Sequence, residues 1–298
     1  MKRLKPFAYF EPTTLAEAVE ILSQKGKEAF PLAGGTDLLP RMKRGEIQPS
    51  ALVNLKRIDG LARIEEEPGK GLRVGSLTSI AAVENSPLVG STIPVLAEAA
   101  GLLGAPAIRH LATLGGNIGR ASPASDMAPT LIALRARVSV DGPKGKRETD
   151  VEHLITGPGT TSLIPGEIIT SFFLPRITPS SGAAYVKLGR REGMDCALVG
   201  VAAFLVLGNK DTEATKAGVV LAAVAPVPQR AQKAEEILLG GSLTEERIQE
   251  AARAAADASL PISDMRASGS YRQEMVRVLT IRALKLALHR AQGGKIPN

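Results

Sequence analysis

A short apolar run, Phe30 to Leu32, ends directly on Ala33-Gly34-Gly35-Thr36-Asp37, and helical character is expected from Leu38. Few folds deliver a strand into paired glycines and then a helix. Glycine tolerates positive φ and leaves no Cβ between a ligand and the amide N–H groups. Successive N–H groups at such a turn form an anion-binding concavity, to which a following helix N-terminus adds favourable field. A second pair, Gly115-Gly116, lies in a polar turn between Thr113 and Asn117. Taken alone, each pair reads more readily as an ordinary turn, where glycine is the default residue. Neither GxxxxGK[ST] nor a GxGxxG after the first strand is present. Spacing alone therefore stops at two candidate phosphate-binding loops.

The flanking segments define the class of fold. Leu15, Ala18, Val19 and Leu22 fall at helical spacing, with Thr14 and Glu17 as a capping box. Ala51 to Asn54 reads as a buried strand, and Ala62 to Glu66 with Leu72 to Gly75 as a hairpin around Pro68-Gly69. Thr78 is expected to cap a short helix through Val83, and Ile93 to Leu102 to form another. Thr130 to Val140 and Glu167 to Leu174 read as sheet-forming. The Pro-, Gly- and Ser-rich stretch Arg176 to Gly182 is the expected linker. Beyond it, Ala184 to Leu188, Val199 to Leu207 and Ala217 to Val224 suggest three strands. Helices follow at about Gln229 to Leu239, Thr244 to Asp257 and Tyr271 to Ala291. Strands followed by helices indicate α+β, not a doubly wound sheet.

Composition narrows the chemistry. The 298 residues suffice for two domains, and 44% hydrophobic with 22% charged residues is the balance of a soluble globular protein. No run approaches the roughly 18 apolar residues of a membrane helix, and the basic start has no apolar h-region, so the cytoplasm is the expected compartment. Cys196 is the sole cysteine, whereas an iron–sulfur cluster needs about four thiolates. His110, His153 and His289 are widely separated, so no metal site is expected. Redox chemistry would have to come from an organic cofactor. The net charge of +7 is scattered, and six Phe, three Tyr and no Trp leave little for base stacking, so nucleic acid is not an expected partner. An anionic cofactor or an acidic partner subunit accounts for the charge equally well.

The motifs carry more than their spacing. Ala33-Gly34-Gly35-Thr36-Asp37-Leu38-Leu39 and Thr113-Leu114-Gly115-Gly116-Asn117-Ile118, with Ala121-Ser122-Pro123-Ala124-Ser125-Asp126 following, resemble the paired FAD loops of one flavoprotein family. It is the FAD-binding medium subunit of the carbon monoxide dehydrogenase and xanthine dehydrogenase (molybdenum hydroxylase) family. Gly104-Ala105-Pro106-Ala107-Ile108-Arg109, Lys187-Leu188-Gly189-Arg190-Arg191 and Asp195-Cys196-Ala197 resemble it too, and the similarity runs from about Pro6 to Leu288. The second loop with its ASPxSD element is highly specific; the AGGTD loop is moderately so.

The resemblance implies an α+β chain: a PCMH-type FAD-binding domain over 1–177, in two subdomains split near 57, then a small α+β domain over 181–290 with a three-stranded antiparallel sheet and helices. By the same resemblance Ala33, Gly34, Gly35, Thr36 and Asp37 wrap the diphosphate, while Thr113, Gly115, Gly116 and Asn117 reach the diphosphate and ribityl region. Asp126 accepts from ribityl or ribose hydroxyls, its plainer alternative being a helix cap before Met127. Lys187 lies near the isoalloxazine, with a solvated strand lysine as the alternative, and Leu103 and Ile169 pack on the cofactor or simply in the core. Cys196, as a lone cysteine, is expected to be a small buried hydrophobe; the resemblance places it close to the flavin ring, where it shapes access, and no catalytic role is expected of it. No catalytic residue is expected in this chain. Neither loop contains histidine, so FAD is expected to be non-covalent. The implied partners are a large subunit with the molybdenum cofactor and a small one with two-iron, two-sulfur clusters, assembled as a dimer of heterotrimers. NAD or a quinone is the implied acceptor. The alternative function is a stand-alone FAD-dependent oxidoreductase of the same fold.

Overall fold

The computed structural model describes residues 4–191, 193–208 and 212–294, so the first three residues of the expected 1–177 domain lie outside the described residues. Strands Ala8–Phe10, Ala29–Leu32 and Ala51–Asn54 form a parallel sheet with Ala51–Asn54 in the middle. Every residue of that middle strand is buried, as expected where helices cover both faces of a parallel sheet. Helix Leu15–Lys25 sets Ala18 and Leu22 against Ala51 and Val53 on one face. Helix Leu38–Arg44 sets Met42 against Leu32 and Leu52 on the other. The first helix begins as its sequence requires: Thr14 Oγ1 accepts from the Glu17 N–H at 3.2 Å. The Glu17 carboxylate returns to the Thr13 N–H at 3.0 Å, one residue before the ideal partner.

A five-stranded antiparallel sheet follows, in the spatial order Ile64–Glu67, Gly71–Gly75, Ile168–Pro175, Arg137–Gly142, Gly145–Asp150. The late strand Ile168–Pro175 closes the middle, with Phe172 opposite Val74 and Val138 and fully buried among them. Its register slips between Ile169 and Ser171. Such a bulge re-aims neighbouring side chains. Short helices between residues 80 and 133 cover this sheet and supply Leu96, Leu114, Ile118 and Leu131 to its core.

Two local expectations need correction here. Ser79, not Thr78, caps the helix Ile80–Asn85, its Oγ accepting from the Ala82 N–H. Thr130 to Ala133 is not strand but the end of helix Met127–Ala133, and the strand begins only at Arg137. All seven residues of that helix are buried. An apolar run hidden on every side has no periodicity to separate helix from strand.

The C-terminal sheet has four antiparallel strands where three are expected: Ser181–Leu188, Val199–Leu207, Ala214–Ala222 and the two-residue Gln229–Arg230. Gln229 and Arg230 belong to that edge strand, and the helix starts at Gln232. Arg230 holds the edge in place: it donates to Glu152, Glu235 and the Ile132 carbonyl, groups a helix start would not reach together. Helices Gln232–Leu239, Glu245–Ala258 and Gly269–Ala291 pack on one face. Ala183, Tyr185, Ala202 and Val220 on the other face join the core beneath the five-stranded sheet. Among the described residues, no helix is long and apolar enough to cross a membrane.

Candidate functional site

The first glycine loop leaves the end of strand Ala29–Leu32 and is pressed against the backbone of helix Pro106–Leu111. A Cβ on Gly34 would stand 2.0 Å from the Leu111 carbonyl oxygen, so only glycine permits this approach. Gly35 has φ +70, a conformation that L side chains rarely adopt. Among the described residues, the N–H groups of Gly34, Gly35, Thr36 and Asp37 find no backbone acceptor. Four amides left open in a partly buried turn need a partner.

The second loop is built differently. Thr113 caps helix Leu114–Gly119 by accepting from the Gly116 N–H at 3.1 Å. Gly115 donates to the Ser76 carbonyl at 2.8 Å, and Asn117 to the Thr113 carbonyl at 2.9 Å. Gly115 is buried, with no room for a Cβ beside Ser76, whereas Gly116 and Gly119 are exposed one turn apart on the helix. This loop therefore offers bare main-chain surface, not open amides. Asn117 is held by the next motif, its Oδ1 accepting from Ser125 Oγ at 2.6 Å. Ser125 Oγ in turn accepts from the Ala128 N–H, securing the start of helix Met127–Ala133.

The two loops face each other across a cleft of about 450 Å³. Ala33, Gly34, Gly35, Thr36, Asp37, Leu103, Thr113, Gly115, Gly116, Asn117 and Ile169 all line it. Leu77 and Ile108 extend its apolar wall, and Gly119, Arg120 and Gly159 its floor. Of these five, Ile108 lies in the family-like segment Gly104 to Arg109, and sequence reasoning did not single out the other four. Gly119, three residues after Gly116 on the same helix, carried a legible signal. Gly159 carried none, since nothing in the sequence joins it to residue 120.

Charge in the cleft is organised around Asp37. Its Oδ2 lies 2.8 Å from Arg120 Nε and 3.6 Å from an Arg41 nitrogen, so the carboxylate bridges the two loops. Glu167 also lines the cleft but is neutralised by a two-pronged Arg147 contact at 2.6 and 2.8 Å. That hydrogen bonding holds the Glu167 carboxyl below its ordinary range.

Asp126 and Lys187 are not among the residues lining the cleft. They form a largely buried pair: Lys187 Nζ donates to Asp126 Oδ2 at 2.9 Å and to the carbonyl of Leu102, the residue before the cleft-lining Leu103, at 2.9 Å. Tyr185 Oη donates to Asp126 Oδ1 at 2.8 Å, and Asp126 makes no side-chain cap to its own helix. Burial pushes the Asp126 carboxyl above its ordinary range, opposed by Lys187 and Tyr185. Burial, together with the Asp126 charge, pushes the Tyr185 hydroxyl well above its own. Cys196 is exposed, not buried, because the turn before the strand Val199–Leu207 lies at the surface. Among the described residues no cluster of His, Cys, Asp and Glu could hold a metal ion.

Open amides at one end, Cβ-free main chain along one side and an aliphatic wall opposite suit a ligand that is both phosphate-bearing and flat. Fold and cleft thus define a dinucleotide-binding protein of the α+β type. Residues 5–177 match the family described as the FAD binding domain in molybdopterin dehydrogenase, and residues 183–287 match the CO dehydrogenase flavoprotein C-terminal domain. The chain is 34% identical to the carbon monoxide dehydrogenase medium chain of Hydrogenophaga pseudoflava, over 94% of this chain and 96% of that one. It is 31% identical to the 6-hydroxypseudooxynicotine dehydrogenase complex subunit alpha of Paenarthrobacter nicotinovorans, over 98% of both. A solved structure of the Hydrogenophaga pseudoflava carbon monoxide dehydrogenase superposes with a TM-score of 0.93 at 34% identity, covering 97% of this chain and 99% of that one. The chain belongs to the FAD-binding subunit family of the molybdenum hydroxylases, and it is an oxidoreductase subunit whose cofactor is FAD.

Proposed function

We propose that this chain receives electrons from iron–sulfur clusters of a partner subunit and passes them through FAD to an external acceptor, NAD or a quinone. The meeting of loops 33–37 and 113–117 at one cleft carries this reading. When bound, the flavin supplies reversible two-electron redox chemistry, and the protein binds, orients and tunes it. The open amides of Gly34 to Asp37 take the diphosphate. Thr113, Gly115, Gly116 and Asn117 shape the opposite side, and Leu103 and Ile169 pack on the cofactor. Asp126 accepts from ribityl or ribose hydroxyls and Lys187 lies near the isoalloxazine, a reading supported by the hold of Lys187 on the Leu102 carbonyl beside the cleft-lining Leu103. His110, His153 and His289 are not among the cleft-lining residues, which supports non-covalent attachment.

In this reading residues 1–177, divided near residue 57, hold the flavin, and 181–290 form the second domain. The relatives are called a medium chain and a complex subunit, which supports a hetero-oligomer for this chain as well. Its partners would be a large molybdopterin subunit and a small iron–sulfur subunit, in two copies each. The test is co-expression with a large molybdopterin subunit and a small iron–sulfur subunit, followed by anaerobic addition of substrate while flavin absorbance is recorded. Bleaching of the flavin only in the three-component complex is the expected result. A chain that lacks flavin absorbance even after reconstitution, or that oxidises substrate alone, overturns the proposal.

A further inference from the structure

Two arginines line the cleft without donating a side-chain hydrogen bond among the described residues: Arg41 is ion-paired with both Asp37 and Glu46, whereas Arg120 has Asp37 alone. Arg120 lines the cleft at the end of helix Leu114–Gly119, facing the first loop. Its Nε is buried and lies 2.8 Å from Asp37 Oδ2, yet without hydrogen-bond geometry, so the N–H remains unsatisfied. Among the described residues, the guanidinium donates no hydrogen bond. The arginines that are themselves largely buried are committed: Arg109 to Glu84, Arg230 to Glu152 and Glu235, Arg272 to Asp264 and two carbonyls, and Arg290 to Glu98 and the Ala183 carbonyl. The fold also makes space for this head group. Gly159 has φ +74, and a Cβ there would stand 2.9 Å from Arg120 Nη1.

The local charge sum favours an anion. Asp37 and Glu46 are shared by Arg41, Arg44 and Arg120, and Arg147 cancels Glu167, so one positive charge is left over beside four open amides. A guanidinium presents parallel N–H donors that match two phosphate oxygens. We infer that Arg120 is a further cofactor-binding residue whose guanidinium takes the diphosphate of the dinucleotide, with Asp37 as its positioning residue. This rests on the FAD reading, because it assigns the charge partner of that cofactor's anionic centre.

The test titrates wild type, R120Q and R120K, as full-length chains, with FAD and separately with ADP across a range of salt concentrations. R120Q is expected to weaken both ligands about 10- to 100-fold, the scale of one lost charge-assisted hydrogen-bonded contact. The salt dependence of binding should flatten with it, since a screened ion pair has gone. R120K keeps the charge without the fork and should recover part of the loss. R120Q within two-fold of wild type, or a loss that leaves the salt dependence unchanged, overturns the assignment. Wild type that binds ADP through Arg120 but not FAD would sink the flavin reading and leave Arg120 standing. Wild type that binds neither ligand would sink both.

Discussion

Gly34→Ala tests whether the cleft depends on main chain meeting main chain. The added Cβ would lie 2.0 Å from the Leu111 oxygen, 2.7 Å from its carbonyl carbon and 3.0 Å from Ala112 Cα. A relaxed carbon–oxygen contact is about 3.3 Å, so the loop must retreat by roughly 1.3 Å. Neither partner is the tip of a flexible side chain, so the strain falls at or above the upper end of the ~1–3 kcal/mol typical of overpacking. The same retreat takes Asp37 out of contact with Arg120, now 2.8 Å away, and moves four amides off their target. Partial loss of several amide contacts, each about 0.5–1.5 kcal/mol, translates into roughly 10- to 100-fold weaker FAD binding. The assay is flavin content per chain after purification, with thermal melts in the presence and absence of added FAD. Gly90→Ala is the control, because nothing lies within 4 Å of its Cβ position inside helix Pro87–Thr92. It should leave flavin content unchanged and stability equal or higher. If Gly34→Ala retains full flavin content and the wild-type melting temperature, the close-approach argument is refuted.

Removing Lys187 as Lys187→Met strands a buried carboxylate, and breaking such a pair typically costs about 3–5 kcal/mol at neutral pH. Asp126 already sits above its ordinary range and would rise further, so the penalty starts above the unfolded pKa of about 3.9 and is full above the raised folded value. Denaturant melts at pH 8 and near pH 4 should show a much smaller penalty at the acid end; equal penalties would exclude this cause. Ser125→Ala removes both the Asn117 restraint and the cap of helix Met127–Ala133, with an expected loss of about 1–2 kcal/mol and weaker FAD binding. A wild-type melting temperature in that variant would contradict it. Gly159→Ala should lower FAD affinity without the mutation touching either glycine loop, because its Cβ displaces Arg120; unchanged fluorescence titrations would argue against the cradle.

The outline of the fold was legible wherever pattern and period agreed. Thr14 with Glu17, Ala51 to Asn54 and the Pro68-Gly69 hairpin all stand where local chemistry places them. Legibility failed where burial was complete or where geometry was non-local. Met127 to Ala133 is apolar on every side, so its helix left no stripe. Gln229-Arg230 is a strand because Arg230 finds partners 78 and 98 residues earlier, which no window of sequence contains. In the cleft, both glycine loops were visible as motifs, and Asp126 and Lys187 were legible only through the family resemblance. The structure also pairs these two with each other, a juxtaposition 61 residues apart that no local window of sequence contains. Arg120 is the converse case, an ordinary basic residue until Asp37 and Gly159 are brought beside it.

The two glycine pairs look alike in sequence yet perform opposite tasks. In the first loop, Gly34 and Gly35 let the chain turn so tightly that, among the described residues, its amides have no backbone acceptor, and an anion is the guest proposed for them. In the second, the Gly115 and Gly116 amides are consumed by Ser76 and Thr113, and what matters is the missing side chain. One loop therefore contributes electrostatics and the other contributes space. An alanine at Gly116 would meet its own cap, Thr113 Oγ1, at 2.9 Å and narrow the cleft, whereas one at Gly34 moves the charge-bearing edge itself. Recognition built this way leaves few side chains to tune affinity, and Arg120 is the cleft residue best placed to supply that control. Substitution there should grade cofactor affinity while the main-chain frame stays intact, whereas damage to either glycine loop removes the frame.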